Sequence, residues 1–201
     1  VRFKFVKSLR FRILVILIII GIVPSIIVEK GIFILTDAAM KLKERYQDKV
    51  QFLLCGGLDD NPMAIKENEL RVVCDGDYIQ WLGYRTDVLD LLKDCHIVAF
   101  PSYYKEGLPK SLIEATAVGR PIITTNSIGC KETVVDGYNG YLIPIKDSDT
   151  LTDRLSILFE NRDIRQKMGQ NSRNLAEKDF SIDDVIAKHL EIYKKLVNSV
   201  L

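Results

Sequence analysis

The sequence predicts an α/β fold with a doubly wound parallel sheet, and three observations carry that expectation. Short apolar runs alternate along the chain with segments whose apolar residues recur at helical spacing, the pattern of strand–helix–strand units that place helices on both faces of a sheet. Glycine, proline and aspartate punctuate the joins. The chain has 201 residues, 47% hydrophobic and 27% charged, which suffices for a packed core and excludes wholesale disorder.

From residue 31 the elements follow in order. Ile32, Leu35, Ala38, Ala39 and Leu42 fall on one helical face, and Lys41, Lys43, Glu44 and Arg45 on the wet one. Residues 50–55 form an apolar strand stopped by Gly56-Gly57, and Asp59-Asp60-Asn61-Pro62 is turn chemistry. A helix over 67–73, a strand over 78–82, a helix over 88–93 and a strand over 97–100 come next. Residues 109–118 read as a helix with Pro109 in its first turn, where the missing N–H costs nothing, and Gly119 closing it. A strand over 121–125, a short helix over 131–135, a turn at Asp136-Gly137 and a strand over 141–143 complete the sheet. Helices over 151–159 and 164–178 follow. Ser181 with Asp184 starts a last helix, on which Ile182, Val185, Ile186, His189, Leu190 and Tyr193 share a face. The succession is that of a Rossmann-like domain.

Residues 1–30 stand apart. They hold Arg2, Lys4, Lys7, Arg10 and Arg12, followed by an unbroken apolar run from Ile13 to Val23. A basic cluster before an apolar core suits a membrane-associated segment, yet the run falls short of the ~20 residues a spanning helix needs. The other reading is a buried strand rich in isoleucine and valine, for which the run is long; a disturbed sequence is the third. The chain thus divides into an atypical segment (1–30), a Rossmann-like domain (31–180) and a C-terminal helix (181–201).

Charge and cysteines set further bounds. Lysine plus arginine total 28 against 27 acids, which argues against nucleic acid as a partner. Cys55, Cys74, Cys95 and Cys130 form no CxxC pair, so neither a zinc site nor a disulfide framework is expected, and a reducing compartment fits. Cys55 and Cys95 adjoin apolar runs and read as small buried residues. Asp75-Gly76-Asp77 has the spacing of a metal-binding DxD, but glycine between aspartates is first a turn. Gly56-Gly57 lacks dinucleotide spacing. His96 and His189 read as structural. Tyr103-Tyr104 suits stacking on a ligand or packing equally.

In open α/β sheets ligands bind beyond the carboxyl ends of the strands. The most informative stretch lies there: Phe100-Pro-Ser-Tyr-Tyr-Lys-Glu-Gly-Leu-Pro-Lys-Ser-Leu-Ile-Glu114. A strand ends, a glycine-containing loop follows and a helix begins, so backbone N–H groups at the helix start can hold an anion such as a diphosphate. Glu106 and Glu114 are carboxylates able to accept from vicinal hydroxyls of a sugar or ribose. On spacing alone they read as well as a helix-start charge and a solvated helix residue.

The pair Glu106-Gly-Leu-Pro-Lys-Ser-Leu-Ile-Glu114 resembles the signature of retaining glycosyltransferases of the glycosyl-transferases-group-1 type, whose fold, GT-B, is two Rossmann-like domains around the active site. Gly119-Arg-Pro-Ile-Ile-Thr-Thr125, Asp136-Gly-Tyr-Asn-Gly-Tyr-Leu-Ile-Pro144, Leu82-Gly-Tyr-Arg-Thr-Asp-Val88 and Arg165-Gln-Lys-Met-Gly169 agree in order. The resemblance covers roughly 31–196. It implies the C-terminal, donor-binding half of such an enzyme, similar to those that use UDP-sugars to extend lipid-linked glycans in bacterial capsule or O-antigen synthesis.

By that resemblance Glu114 holds the ribose and Glu106, the catalytic residue, faces the transferred sugar. The N–H groups of Gly107 and Leu108, ahead of Pro109, lie near the sugar and diphosphate. Gly57, Tyr84 and Arg85 line the donor pocket, and Lys30 neutralises the diphosphate. The implied reaction is hexosyl or N-acetylhexosaminyl transfer with retention, needing a nucleotide-sugar but no metal or other cofactor. The acceptor, lipid-linked or a free saccharide, falls to an N-terminal domain outside this chain, so the chain alone is expected to be inactive. The expected place is the cytoplasm, or the inner face of the membrane as a peripheral protein. One position departs from the family: Ser25 stands where an arginine is usual five residues before the lysine. That departure keeps a non-catalytic nucleotide-binding remnant or regulatory module as the alternative. Residues 1–6 have the pattern of the family's first strand.

Overall fold

The computed structural model describes residues 13–18, 30–58, 64–74, 76–104 and 107–200. Six strands, β1 (Ile13–Ile18), β2 (Val50–Cys55), β3 (Ile79–Trp81), β4 (Ile97–Phe100), β5 (Ile122–Thr125) and β6 (Gly140–Ile143), form one sheet in the order β3-β2-β1-β4-β5-β6. Every pairing is parallel. All carboxyl ends therefore lie on one edge, and the strand order reverses direction between β1 and β4, the place where doubly wound sheets open a crevice.

The apolar run near the N-terminus supplies the central strand. Ile13–Ile18 pairs with β2 from Ile13↔Val50 to Ile18↔Cys55 and with β4 at Val15↔Ile97 and Ile16↔Val98. Both of its edges are used, so the slot expected for residues 1–6 is taken by Ile13–Ile18; residues 1–6 lie outside the described residues. Among the described residues no helix is long and apolar enough to cross a membrane.

The helices are α1 (Ile32–Tyr46), α2 (Glu67–Val73), α3 (Val88–Asp94), α4 (Lys110–Ala117), α5 (Ser148–Glu160), α6 (Arg162–Asp179) and α7 (Ile182–Val200), with a 3-10 turn at Lys131–Thr133. Sequence expectation and structure differ at the ends for identifiable reasons. Helix α5 starts three residues earlier than its apolar pattern because Asp147 caps it, accepting from Thr150 N at 2.8 Å. Pro109 is the N-cap of α4, with extended ψ of 121°, rather than a first-turn residue.

Strands β2, β4 and β5 are buried throughout, as a sheet covered on both faces requires. One polar residue inside β2, Gln51, is satisfied by donating to Asp77 O at 2.8 Å. Helices α1 and α5 share one layer, where the Tyr46 and Phe159 rings meet edge to face at 5.2 Å. Helix α6 lies against α4, with Arg173 Nη1 donating to Ala117 O at 2.6 Å. Cys55, Cys95 and Cys130 are buried and Cys74 half-buried, all as free thiols. Helix α7 differs from the rest: Val185, Ile186, Leu190, Tyr193, Leu196 and Val197 are all exposed on it.

Two glycines are fixed by close approach. A Cβ on Gly140, at the start of β6, would lie 1.9 Å from Ile122 O. Gly31, which caps α1 at φ 81°, would put one 2.1 Å from Pro101 O. The second contact draws the α1 start against the end of β4, across the crevice.

Candidate functional site

The carboxyl edge carries, in spatial order, the loop after β3, the loop after β2, the start of α1 and the start of α4. Tyr84 follows β3 with its ring in solvent. Arg85 beside it is committed: its Nε and Nη2 donate to both oxygens of Asp87, at 2.8 and 2.5 Å. This fork raises the arginine's pKa and holds the Asp87 carboxyl below the usual range. The loops after β2 and β3 are stitched together by Gly56 N to Gly83 O at 3.0 Å and Trp81 Nε1 to Gly56 O at 2.9 Å. Gly57, buried, continues that seam.

Lys30 sits one residue before the α1 cap. It is only 8% exposed, low for a lysine. Its Nζ lies 5.8 Å from the Phe100 ring centroid and 5.4 Å from that of Tyr104. Burial pushes its pKa down to about 8, partly offset by the Cys130 thiol nearby. Lys30 is thus an ammonium with little water around it, the state in which a cation binds phosphate with least desolvation left to pay.

Helix α4 begins opposite. Its cap, Pro109, has no side-chain hydrogen bond to offer, and its first-turn N–H groups carry the partial positive charge of a helix start. Gly107 and Leu108 before it are exposed and Pro109 is buried. Glu114, a turn inside, has a largely buried carboxylate facing Lys110 Nζ at 3.5 Å, so it is not the solvated helix residue that spacing alone allows. Glu106 lies outside the described residues.

The structure brings Gly57, Tyr84, Arg85, Lys30, Gly107, Leu108, Pro109 and Glu114 to one edge of the sheet. It adds groups the sequence reading passed over. Phe100 was legible only as the last residue of a strand, yet its ring is one of the two beneath Lys30. Thr124 Oγ1 donates to Phe100 O at 2.7 Å, Thr125 Oγ1 donates to Ser102 O, and Tyr104 N donates to Ser102 Oγ at 3.3 Å. These bonds fix the course of the chain from β4 to the loop. Lys146, after β6, has φ 59° and its Nζ lies 4.8 Å from the Tyr103 centroid. Only the doublet Tyr103-Tyr104 was a signal for these contacts, and it did not say which cation each ring meets.

Away from this edge the weaker candidates are structural. Gly76 has φ 83°, a turn, and Asp77 O accepts from Gln51; Asp75 lies outside the described residues. His96, at the amino end of β4, has its pKa lowered by burial and by Arg165 and Arg120. Among the described residues no three His, Cys, Asp or Glu side chains group to hold a metal.

Comparison with known proteins identifies the family and the fold. Residues 17–175 match the family described as Glycosyl transferases group 1. Over 172 residues the chain is 30% identical to the N,N'-diacetylbacillosaminyl-diphospho-undecaprenol alpha-1,3-N-acetylgalactosaminyltransferase of Campylobacter jejuni, covering 86% of this chain and 43% of that protein. The chain thus spans less than half the length of that relative. Anabaena HepE, solved in complex with UDP, superposes with a TM-score of 0.80 at 21% identity over 94% of this chain and 50% of that one. The C-terminal domain of LpcC, a glycosyl transferase group 1 family protein of Francisella tularensis, superposes with a TM-score of 0.71 at 23% identity over 85% of this chain and 87% of that one. The chain therefore belongs to the glycosyl transferases group 1 family, and its parallel sheet is one half of a GT-B fold.

Proposed function

We propose that this chain is the donor-binding half of a retaining glycosyltransferase that takes a UDP-sugar, hexosyl or N-acetylhexosaminyl, and passes the sugar to a lipid-linked acceptor held by a second domain. One observation supports this most: a nearly dry lysine just before α1 and the start of α4, where Pro109 offers no side-chain cap, flank the crevice between β1 and β4. Cation and helix dipole together are suited to the diphosphate that leaves when the glycosidic bond breaks. UDP is favoured because the Anabaena neighbour was solved with it, and a lipid-linked acceptor because the Campylobacter relative's name specifies one.

In this reading Gly57, Tyr84 and Arg85 line the base end of the pocket, Arg85 through the backbone since its guanidinium is held by Asp87. Glu114 accepts from the ribose hydroxyls, and the Gly107 and Leu108 N–H groups face the diphosphate and sugar. Glu106 positions the reacting sugar. Residues 31–180 with the strand Ile13–Ile18 form the donor domain. The exposed apolar stripe of α7, from Ile182 to Val197, is a surface for the second domain. The protein works at the cytoplasmic face of the membrane, where its acceptor is anchored.

Titration calorimetry with UDP tests this. The chain binds UDP more tightly than free sugar, and Glu114→Ala weakens UDP by about tenfold, the loss of hydrogen bonds to one carboxylate. An unchanged affinity in Glu114→Ala removes that residue from the ribose. A serine at position 25, in place of the family's arginine, favours the rival reading of a binding module without transfer. Joining a suitable N-terminal domain decides between them: turnover that Glu106→Gln abolishes supports the enzyme, and UDP binding without turnover supports the module.

A further inference from the structure

We propose that Tyr104 is a positioning residue of the donor site, whose ring, together with that of Phe100, seats the Lys30 ammonium for an incoming diphosphate. The proposal rests on the donor-binding reading above and concerns how the cation is prepared. A lysine side chain in water samples many rotamers, and ordering it on binding costs affinity. Lys30 is instead held between two rings, 5.8 and 5.4 Å from their centroids. Ring faces are electronegative, so they replace part of the hydration that burial removes.

The two rings have different standing. Phe100 is 2% exposed in the central part of the sheet, and its truncation would damage the core. Tyr104 is 42% exposed, at the lip of the loop leading to α4. A large, half-exposed aromatic ring in a loop costs order unless something fixes it, and here the backbone does. Thr125 Oγ1 and Ser127 Oγ both donate to Ser102 O, and Ser102 Oγ accepts from Tyr104 N. The brace fixes the backbone that carries Tyr104, whose ring lies over Lys30. Among the described residues, the Tyr104 phenol and the Cys130 thiol, from the loops after β4 and β5, are titratable side chains near Lys30. Burial has already moved the amine toward neutrality; leucine in place of Tyr104 keeps apolar cover but withdraws the ring face that favours the charged form, which moves the amine further.

The test uses the 201-residue chain, UDP, uridine and three variants. Tyr104→Leu removes the ring face, Tyr104→Phe keeps it, and Lys30→Met is the reference. Tyr104→Leu is expected to weaken UDP about twofold to tenfold, the ordering cost of one long side chain that the ring no longer prepays, and to leave uridine unchanged. Tyr104→Phe should match the original chain. The pH at which UDP affinity declines should move lower in Tyr104→Leu and not in Tyr104→Phe, and Lys30→Met should lack this decline. An equal loss of UDP and uridine in Tyr104→Leu reports a structural role and overturns the proposal. Tighter UDP binding also overturns it, because the ring would then compete with phosphate for the ammonium. If Lys30→Met binds UDP as well as the original chain, the donor reading itself fails and the proposal with it. If Lys30→Met is weak and Tyr104→Leu is not, only the proposal fails.

Discussion

At the amino edge of the sheet, polar groups close on one another. Asn139, fully buried, accepts from Val135 N at 2.8 Å and donates to Thr133 O at 3.1 Å. Ser172 Oγ donates to Arg120 O at 2.7 Å, and Arg120 Nη1 donates to Cys95 O at 2.8 Å. The carboxyl edge has such pairings too, as between Arg85 and Asp87, but beside them stand groups of another kind. Lys30 rests on two rings, the Tyr84 ring lies in solvent and α4 begins without a side-chain cap. Both edges belong to the same six strands. The first spends its hydrogen bonds on holding the chain, and in the proposed reading the second offers charge and N–H groups to a ligand.

If the two edges divide stability from binding in this way, substitutions should separate accordingly. The largest effect belongs to Gly140→Ala. Its Cβ would fall 1.9 Å from Ile122 O, so β5 and β6 must part, at a loss of about 3 kcal/mol or more. Thermal or urea unfolding measures it, and a loss below 1 kcal/mol would mean that the sheet edge is softer than drawn.

Asn139→Ala comes next. It removes the partner of Val135 N and leaves the buried Thr133 O without its donor, and should lower stability by about 1–3 kcal/mol, with UDP affinity per folded molecule unchanged. A variant that unfolds no more readily yet binds UDP poorly would break the division.

Lys30→Met should do the opposite. UDP affinity falls about tenfold to a hundredfold, the worth of a charge-assisted contact, and stability holds or rises because a costly buried charge is gone. The original chain carries the same contrast in its pH dependence. Folding lowers the Lys30 pKa from 10.5 to about 8. Between those values the unfolded chain binds the extra proton, so this group's contribution to stability rises with pH across that window. UDP affinity should decline as pH passes 8, because the ammonium is lost. Parallel rather than opposing trends in unfolding and calorimetric titrations would contradict the assignment.

The smallest effect is at Lys146. Glycine there relieves the left-handed backbone at φ 59° and gives up the contact with Tyr103, for a net gain of about 0.5 kcal/mol. Unchanged UDP affinity in Lys146→Gly would mark the outer limit of the site; a clear loss would extend the site to β6.

Much of this was legible in the sequence, and the reason is local. Strands such as Ile97–Phe100 and helices such as Ile32–Tyr46 announce themselves by short apolar runs and helical spacing, because neighbouring residues decide them. The loop, proline and helix start from Gly107 to Glu114 also follow one another along the chain, though only the family resemblance gave their residues roles. The apolar run at the N-terminus could not be settled that way: strand and membrane segment share a composition, and only pairing on both sides with β2 and β4 distinguishes them. Illegible, too, was the seat of Lys30. Phe100 and Tyr104 lie some seventy positions further along, and no spacing rule links an ammonium to rings that the sheet order brings beside it.

The buried thiols add a clock to the molecule. Cys95 is enclosed, with burial pushing its pKa up to about 12, and Cys55 is pushed up to about 11. Neither presents a thiolate to an alkylating reagent while the chain is closed, since reactivity follows the ionised form. Cys95 ends at the amino edge and Cys55 at the carboxyl edge. Their labelling rates therefore time the opening of the two ends separately. A nucleotide that binds between β1 and β4 should slow the labelling of Cys55 before that of Cys95.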